Sequence, residues 1–480
     1  MNEKQKIKIR FLGAAGTVTG SKHLIEVGDK KILIDCGLFQ GLKELRLRNW
    51  EPLPFDVASL EYVILTHGHL DHVGHLPLLV KQGFEGTIHA TEPTIDIAKL
   101  ILADSARIQE EDAERANHYK YSKHKPAKPL YTVKEAEAVF SLFKVEQLDN
   151  WIELFPGTSF RFRYNGHIVG ATFIELKVGE KVIVFSGDIG RAEDPLLRDP
   201  QRPTKANVLV IESTYGDRIH PSGTKEKLAD VLVIEYTYGD RILPSGTKEK
   251  LAEILNLAMH KKGTIIIPSF AVERAQLLMY YLWQLRHEGK IPAIPVYLDS
   301  PMGVSVLDVF KRHEEWHKLS AELCSKITKE IKIVRKLEET ARVAQDKSAK
   351  IIIAASGMAS GGRVLTYFEH FLGDASATIL LAGYQGEGTR GRALLEGVKE
   401  VKLRGKLYPV KAGVSQIEGL SAHADQKELI DWMTDLKTAP EHLFIVHGEK
   451  TGAEGLKAKI KETFGYSSMI PTVDKVYDLF

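Results

Sequence analysis

The chain contains very little cysteine. Only Cys36 and Cys324 occur among its 480 residues, and neither lies in a C-x-x-C pair. Two isolated thiols are too few for the disulfide framework of a small secreted protein. They are also too few for a cysteine-ligated zinc site, so a metal site in this chain must use histidine and carboxylate ligands.

Long apolar runs and an excess of charge of one sign are also absent. No stretch approaches the roughly 18 apolar residues that span a bilayer, and the N-terminal residues lead into a strand without the apolar segment of a secretory signal. We therefore expect a cytoplasmic protein without membrane contact. The 65 basic and 63 acidic residues give a net charge of +2, which neither favours nor excludes a polyanionic ligand.

The most informative segment present is His67-Gly-His69-Leu-Asp71-His72, which directly follows the apolar strand predicted at 62–66. Three imidazoles and a carboxylate stand where the chain leaves the strand and turns into a helix. Their side chains can therefore converge at the carboxyl edge of a sheet. This pattern predicts a metal site.

Three further candidate ligands, His167, Asp188 and His447, also end or flank apolar strands. With His67, His69, Asp71 and His72 they make seven, which is too many for one tetrahedral zinc but suits two ions that share a carboxylate. Two such ions can hold a bridging hydroxide nucleophile and stabilise the oxygens of a displacement at phosphorus. The set therefore predicts a hydrolase.

The pattern of strands and helices changes twice along the chain. Residues 1–206 show short β-branched strands, residues 207–403 alternate strand and helix, and strands with histidine at their ends return at 404–480. Regular alternation predicts a largely parallel sheet. The simplest architecture is a metal domain that is interrupted by a β/α insertion and completed by the C-terminal segment.

One internal repeat falls at the start of the insertion. Residues 208–230 recur as residues 231–253 with three changes, of which Ser213 to Tyr236 is one. Because the copies are short and nearly identical, we interpret them as a tandem duplication rather than a solenoid. Only one copy can occupy the strand position, so Glu212 and Glu235 compete for one role.

A basic segment, residues 118–129, interleaves tyrosine with lysine, and two prolines exclude a helix there. Aromatic and cationic side chains in alternation can stack bases and bind phosphates. A solvated loop between two helices, predicted at 93–117 and 133–146, is equally consistent with the pattern.

The His67–His72 motif matches the H-x-H-x-D-H signature, so the chain resembles the metallo-β-lactamase superfamily. This resemblance implies an α/β fold, an αβ/βα sandwich with the metals at one edge of its sheets. It implies two Zn²⁺ ions per chain, one held by His67, His69 and His167, the other by Asp71, His72 and His447, with Asp188 between them. Asp35 is then a carboxylate that orients a ligand.

Later motifs resemble the β-CASP nucleases, a branch of that superfamily that acts on nucleic acids. Glu212, His423 and His447 match the three additional motifs of the branch. Histidine at position 447 is typical of members that process RNA, whereas the DNA-directed members usually carry another residue there. His423 beside Glu212 is a candidate general acid that protonates the departing ribose oxygen.

Two glycine-rich segments match the RNA-cleaving members and are predicted to contact phosphate, through backbone N–H groups and side chains. The predicted contact residues are Ser356, Gly357, Arg363, Gln385, Thr389 and Arg392.

The leading interpretation is a zinc-dependent ribonuclease that acts on single-stranded RNA. The exonucleolytic relatives carry a further C-terminal domain and only 33 residues follow His447 here, so we expect an endonuclease. Alternatives are a 5′-to-3′ exoribonuclease, a DNA nuclease, a hydrolase of small esters, and a non-catalytic scaffold of RNA processing. Homodimers are common among similar proteins, although no periodic apolar stripe indicates one in this sequence.

Overall fold

The structure is a computed structural model that describes residues 6–120, 122–220, 246–383, 385–417 and 419–480. The chain forms two compact units. The first comprises residues up to Ile219, Asp308–Leu319 and Ala422–Phe480, and the second comprises His220–Leu307 and Ser320–Ser421.

The strands of the described residues, in chain order, are β1 (Ile7–Phe11), β2 (His23–Val27), β3 (Lys30–Ile34), β4 (Tyr62–Ile64), β5 (Thr87–Ala90), β6 (Phe143–Val145), β7 (Ile152–Phe155), β8 (Thr158–Tyr164), β9 (Thr172–Val178), β10 (Lys181–Phe185), β11 (Val208–Glu212), β12 (Thr264–Pro268), β13 (Val296–Asp299), β14 (Lys332–Ile333), β15 (Lys350–Ala354), β16 (Thr378–Ala382), β17 (Glu400–Leu403), β18 (Lys406–Pro409), β19 (Gly413–Ile417), β20 (His442–Val446) and β21 (Val476–Asp478).

The α-helices are α1 (Lys43–Leu47), α2 (Leu70–Val73), α3 (Leu76–Lys81), α4 (Glu92–His118), α5 (Val133–Ala138), α6 (Thr247–His260), α7 (Arg274–His287), α8 (Pro301–Arg312), α9 (Ala321–Glu330), α10 (Leu337–Gln345), α11 (Val364–Phe371), α12 (Arg390–Leu395), α13 (Gln426–Trp432) and α14 (Lys450–Phe464). Within the part of the chain that the structure describes, none of these helices has the length and apolar character needed to cross a bilayer.

Two sheets pack face to face in the first unit. One has the order β21-β1-β2-β3-β4-β5-β6, and the other has the order β20-β11-β10-β9-β8-β7. Ile9, Ile25 and Ile32 of the first sheet and Phe162 and Ile183 of the second belong to the apolar core between them. This core keeps the carboxyl ends of β4, β10 and β20 in place, where the site residues follow.

Helices cover the outer face of the second sheet. Leu209 and Ile211 alternate with the inward-facing residues of β11 and pack with Leu429 and Trp432 of α13 and Leu456 of α14. A strand buried on both faces reads as a continuous apolar run, as β11 does in Val208–Ile211. The predicted αβ/βα sandwich is confirmed.

The second unit contains the sheet β14-β13-β15-β12-β16-β19, in which all pairs are parallel. Ile266, Ile352 and Ile379 from its central strands pack with Val364 and Phe368 of α11. The predicted β/α insertion with a parallel sheet is thus observed.

The domain boundaries differ from the predicted ones at 206/207 and 403/404. The first boundary lies at Ile219, because β11 pairs with β10 and β20 and so belongs to the first unit. The second lies at Ser421, because β19 pairs with β16 and extends the parallel sheet of the insertion. Both shifts arise from strand pairing between distant segments.

The first copy of the repeat supplies strand β11 and Glu212. Ser213 is fully buried, and its hydroxyl donates a hydrogen bond to Val446 O at 2.8 Å. The second copy carries the much larger Tyr236 at the matching position, for which this buried site has no room. Helix α6 begins at Thr247 within the second copy, whereas Glu235 and Tyr236 lie outside the described residues.

The helix predicted at 133–146 is much shorter than expected. Only Val133–Ala138 is α-helical, and a 3₁₀ turn leads into β6, which pairs with β5 in parallel. The prediction was wrong from residue 139 onward, because pairing with β5 overrides the local helical preference of this segment.

Candidate metal centre

Each of the predicted ligands follows the carboxyl end of a strand of the first unit. His67, His69, Asp71 and His72 come after β4, and the others follow strands of the second sheet: His167 after β8, Asp188 after β10 and His447 after β20. These three strands and β4 end at the same edge of the sandwich. The structure therefore brings all seven predicted ligands together.

The first group of ligand atoms comes from His67, His69, His167 and Asp188. His69 Nδ1 lies 3.1 Å from His67 Nε2 and 3.2 Å from His167 Nε2. Asp188 Oδ2 lies 3.5 Å from His67 Nε2 and 3.6 Å from His167 Nε2.

The second group comes from Asp71, His72 and His447. His447 Nε2 lies 3.2 Å from His72 Nε2 and 3.4 Å from Asp71 Oδ2. The other oxygen of Asp188, Oδ1, lies 3.4 Å from His72 Nε2. Asp188 therefore turns one oxygen to each group.

The spacing of these atoms fits two cations. Four ligands at about 2.05 Å from a tetrahedral zinc are separated by about 3.3 Å, which is close to the distances within both groups. Asp188 Oδ1 is buried and accepts no well-directed hydrogen bond from a described residue. A buried carboxylate oxygen without a donor is costly, and a cation beside it removes that cost.

The imidazoles of the first group favour their neutral form, as metal binding requires. Burial holds the pKa of His67 and of His167 well below the ordinary value, and burial lowers the pKa of His69 to about 4. Neutral nitrogens that face one another at 3.1 Å and 3.2 Å leave lone pairs directed at a common point.

In the second group, nearby carboxylates determine the direction of the pKa shift of His72. Burial lowers the pKa of His72, but Asp188 and Asp35 outweigh burial and hold that pKa well above its ordinary value. Burial raises the pKa of Asp188, but His447, His72 and His67 outweigh burial and hold it well below the ordinary range. The carboxylate that faces both groups is therefore ionised.

Asp35 contacts the ring of His72. Its Oδ2 lies 2.8 Å from His72 Nδ1, which leaves His72 Nε2 directed at the second group. Thr66 donates to the same carboxylate twice, from its backbone N at 2.8 Å and from its hydroxyl at 2.9 Å. The sequence did not single out Thr66, although it directly precedes the first histidine of the motif.

A glycine allows the Asp35 segment to approach the motif. A Cβ built on Gly37 would lie 1.5 Å from Asp71 O, so no side chain fits there. Backbone hydrogen bonds join the two segments on either side, from Cys36 N to His72 O at 2.7 Å and from Leu38 N to Leu70 O at 3.1 Å.

Glu212 and His423 lie beside the candidate ligands. His423 Nδ1 is 3.3 Å from Glu212 Oε1, and the His423 ring is 4.5 Å from the His167 ring. Glu212 is fully buried and accepts hydrogen bonds from Ile189 N at 2.6 Å and Thr214 N at 3.2 Å. Although Glu212 also lies near Asp188 and His447, these bonds direct its oxygens to backbone donors and His423.

Thr214 is a site residue that the sequence did not single out. Its hydroxyl lies 3.2 Å from His447 Nδ1 and donates to His447 O at 3.2 Å. His447 has a φ of 49°, a left-handed conformation that is unusual for histidine, and Thr214 stabilises it. Only the closeness of Thr214 to Glu212 in the sequence could have indicated this role.

The residues predicted to contact phosphate lie in two segments of the second unit and make internal bonds. Arg363 donates to the fully buried Asp299 at 2.6 Å and to Arg335 O at 2.6 Å. Gln385 donates to the carbonyl O of Gly357, and Gly357 is a buried residue. The hydroxyl of Thr389 caps helix α12. These bonds indicate that the three side chains hold the segments together.

Ser356 and Arg392 complete the predicted set. The hydroxyl of Ser356 accepts hydrogen bonds from Ser360 N at 3.1 Å and Gly361 N at 3.3 Å. Arg392 lies at the surface, where Nε donates to Glu396 at 2.8 Å. Phosphate contact by this set stays a prediction.

Three family models match consecutive parts of the chain. The metallo-β-lactamase superfamily matches residues 16–246, the Beta-Casp domain matches 275–394, and the Zn-dependent metallo-hydrolase RNA specificity domain matches 407–471. Ribonuclease TTHA0252 of Thermus thermophilus is 31% identical over 92% of this chain and 94% of its own length.

The chain therefore belongs to the β-CASP family of the metallo-β-lactamase superfamily. It is a hydrolytic enzyme of this family, as the motifs predicted, and its donor set and family support a metal cofactor.

Two further matches with lower sequence identity also span nearly the whole of this chain. Transcription termination factor FttA of Methanocaldococcus jannaschii is 29% identical over 97% of this chain and 70% of its own length. A solved structure of a protein of unknown function from Enterococcus faecalis covers 98% of this chain and all of its own, with 14% identity and a TM-score of 0.55. That likeness shows the fold alone.

Proposed function

We propose that the protein is a zinc-dependent ribonuclease that hydrolyses phosphodiester bonds within single-stranded RNA. The observation that supports this most strongly is the arrangement of Asp188, whose two oxygens face two separate groups of ligand atoms. Ribonuclease TTHA0252, which is 31% identical, supports RNA as the substrate.

We propose that His67, His69 and His167 hold one zinc ion, that Asp71, His72 and His447 hold the other, and that Asp188 contributes to both. Zinc ions bound there supply Lewis acidity, which activates water and stabilises negative charge on phosphate oxygens. Asp35 fixes the His72 ring through the bond to Nδ1 at 2.8 Å. Thr214 fixes His447 in a similar way, through the contact of its hydroxyl with Nδ1 at 3.2 Å and its bond to the backbone O at 3.2 Å.

His423 is placed to move a proton. Its Nδ1 faces Glu212, so the opposite ring nitrogen, Nε2, is the atom that would donate to the departing ribose oxygen. The side chain is 17% exposed, whereas those of His67 and His167 are 1% exposed, so substrate can reach it. Glu212 acts as a positioning residue, since its other bonds are to backbone N–H groups.

Cleavage of one defined RNA labelled at both ends tests the proposal. An endonuclease cuts within the strand and yields shortened oligonucleotides that carry the 5′ label or the 3′ label. A 5′-to-3′ exonuclease first releases the 5′ label as a mononucleotide. A chelator should abolish cleavage, and added Zn²⁺ should restore it. Single-stranded DNA and a generic ester serve as comparison substrates.

Absence of chelator-sensitive RNA cleavage would overturn the proposed function. Preferred cleavage of DNA or of the ester would replace RNA as the substrate. Release of mononucleotides from one end alone would overturn the endonucleolytic mode while leaving the ribonuclease assignment intact.

A further inference from the structure

The loop that follows helix α4 carries an exposed group of cations. We define the basic loop as its described residues 119–120 and 122–128, in which Lys120, Lys123, Lys125 and Lys128 are all exposed. Tyr119, at the start of the loop, is 69% exposed. A single-stranded nucleic acid can use such a surface through both phosphate contacts and base stacking.

The lysines of the basic loop are not neutralised by neighbouring acids. None of the four forms an ion pair with a described residue, whereas Arg107 of α4 is paired with both Asp104 and Glu111. Helix α4 itself carries seven acidic and three basic residues, so the positive charge is confined to the loop beyond it. A polyanion is attracted to the loop rather than to the helix.

The base of the loop is closed by one side chain. Asn117 Nδ2 donates to Ala127 O at 3.0 Å, and Ala127 N donates to Asn117 Oδ1 at 2.7 Å. This paired contact joins the end of α4 to the far side of the loop. The lysines between these two residues are thus presented from a closed turn rather than from an open chain.

Helix α4 separates this loop from the metal centre. At its start, Thr94 donates to Gly170 O at 2.8 Å, and a Cβ on Gly68, between His67 and His69, would lie 2.7 Å from Ile97. The helix then runs for 27 residues, which corresponds to about 40 Å. The basic loop lies at the opposite end.

We propose that the basic loop is a second RNA-contact surface, which binds backbone phosphates about 40 Å from the bond that is cut. This inference rests on the proposed function. A stacked single strand advances about 3.4 Å per phosphate, so about a dozen nucleotides are needed to reach from the metal centre to the loop. Contacts to phosphate carry no sequence information, so the loop increases affinity for long strands without selecting their sequence.

The test compares two triple variants of the full-length, zinc-loaded protein. One is K120Q/K123Q/K125Q in the basic loop, and the control is K326Q/K329Q/K332Q, which removes the same charge from three exposed lysines of the second unit. Binding of a 6-nucleotide and a 30-nucleotide RNA is measured by fluorescence anisotropy in an H423A background. The ratio kcat/KM is measured for both RNAs with His423 intact.

The basic-loop variant should bind the 30-nucleotide RNA about tenfold more weakly at about 50 mM salt. Its plot of log affinity against log salt should be less steep by about 2, because each contact to a single strand contributes about 0.7. For this variant, kcat/KM should fall for the long RNA and stay constant for the short one. The control variant should match the parent protein in RNA binding and in kcat/KM, for the long RNA and for the short one.

Two results would overturn the inference. Equal losses on both RNAs would place the loop beside the cut bond, and unchanged binding of the long RNA would show that the loop makes no contact. In both cases RNA cleavage by the parent protein still supports the proposed function. If the parent protein binds neither RNA, the proposed function fails, and the inference fails with it.

Discussion

Glu212 Oε1 lies 3.3 Å from His423 Nδ1, although the two residues are 211 positions apart in the chain. Glu212 ends strand β11, and His423 is held beside β10 by the hydrogen bond from Ala424 N to Ile189 O at 2.7 Å. The pair is thus built from the second sheet and does not depend on the loop that carries the H-x-H-x-D-H motif.

Replacing His423 by alanine should reduce kcat by about a hundredfold to ten-thousandfold, the range for loss of a general acid. Zinc content should be unchanged, because His423 belongs to neither ligand group. Metal analysis and single-turnover kinetics check both points. The matched variant E212Q should retain more activity, since it weakens the orientation of the imidazole without removing it. Loss of zinc from H423A would identify His423 as a ligand instead.

Asp188 and Asp71 should differ in the number of ions they control. Because Asp188 faces both groups, D188A should weaken both sites and leave less than about one zinc per chain. Asp71 belongs to the second group only, so D71A should retain about one zinc. Elemental analysis after gel filtration measures both. Equal zinc content in the two variants would contradict a shared role for Asp188.

Asp35 should influence zinc affinity without binding zinc. In D35N, an amide replaces a carboxylate that accepts from Thr66 and contacts His72 Nδ1, so the His72 ring loses its fixed orientation. We expect zinc affinity of the second group to fall about 10-fold to 100-fold. Titration with a competing chelator measures this change, and T66V, which removes only one donor to Asp35, should show a smaller effect.

Lys22 gives a prediction about stability. Its Nζ is buried and donates to Gly37 O at 2.6 Å, and burial lowers its pKa from 10.5 to about 8. Between these values the unfolded chain binds the proton and the folded chain does not, so stability rises with pH. Relative to K22M, the free energy of unfolding of the natural chain should increase by about 2 kcal/mol from pH 7.5 to pH 9.5.

Urea unfolding of both proteins at the two pH values measures that difference. Because the two proteins share all other titratable groups, the contributions of those groups cancel. A constant difference between the two proteins would show that Lys22 is protonated to the same extent in the folded and unfolded chains.

One copy of the repeat should be sufficient for folding and activity. Deletion of residues 223–245 joins Ser222 to Gly246 and leaves one complete copy, with strand β11 from the first copy and the start of α6 from the second. The deleted chain should bind zinc and cleave RNA as the parent protein does. Zinc analysis and kinetics compare the two, with D188A in the shortened chain as the control that lacks zinc. Loss of the fold on deletion would show that the additional 23 residues are needed.

The candidate metal ligands were recognisable in the sequence because each is encoded locally. An apolar strand followed by histidine or aspartate fixes where a side chain emerges, and the strand predicted at 62–66 is observed as Tyr62–Ile64, directly before the motif. What periodicity cannot supply is which strand pairs with which. The wrong helix at 139–146 is an error of this kind, and strand pairing also places the limits of the compact units at Ile219 and Ser421.

The two glycine-rich segments show that local sequence does not reveal which distant residue a side chain contacts. Arg363 stands beside glycines in the sequence, which favours a ligand contact, yet its guanidinium reaches Asp299, 64 positions away. A buried carboxylate at the end of β13 was not recognisable as its acceptor from local composition. Thr66 and Thr214 were missed for a similar reason, since a hydroxyl that orients a histidine has no spacing rule of its own.

His447 is the last of the seven candidate ligands along the chain, and it follows β20, which can pair with β11 only after the whole insertion has been made. A chain that has been synthesised only as far as the insertion therefore holds six candidate ligands and lacks the seventh. The complete centre depends on β20 joining β11, so the first segment of the metal domain cannot assemble it alone.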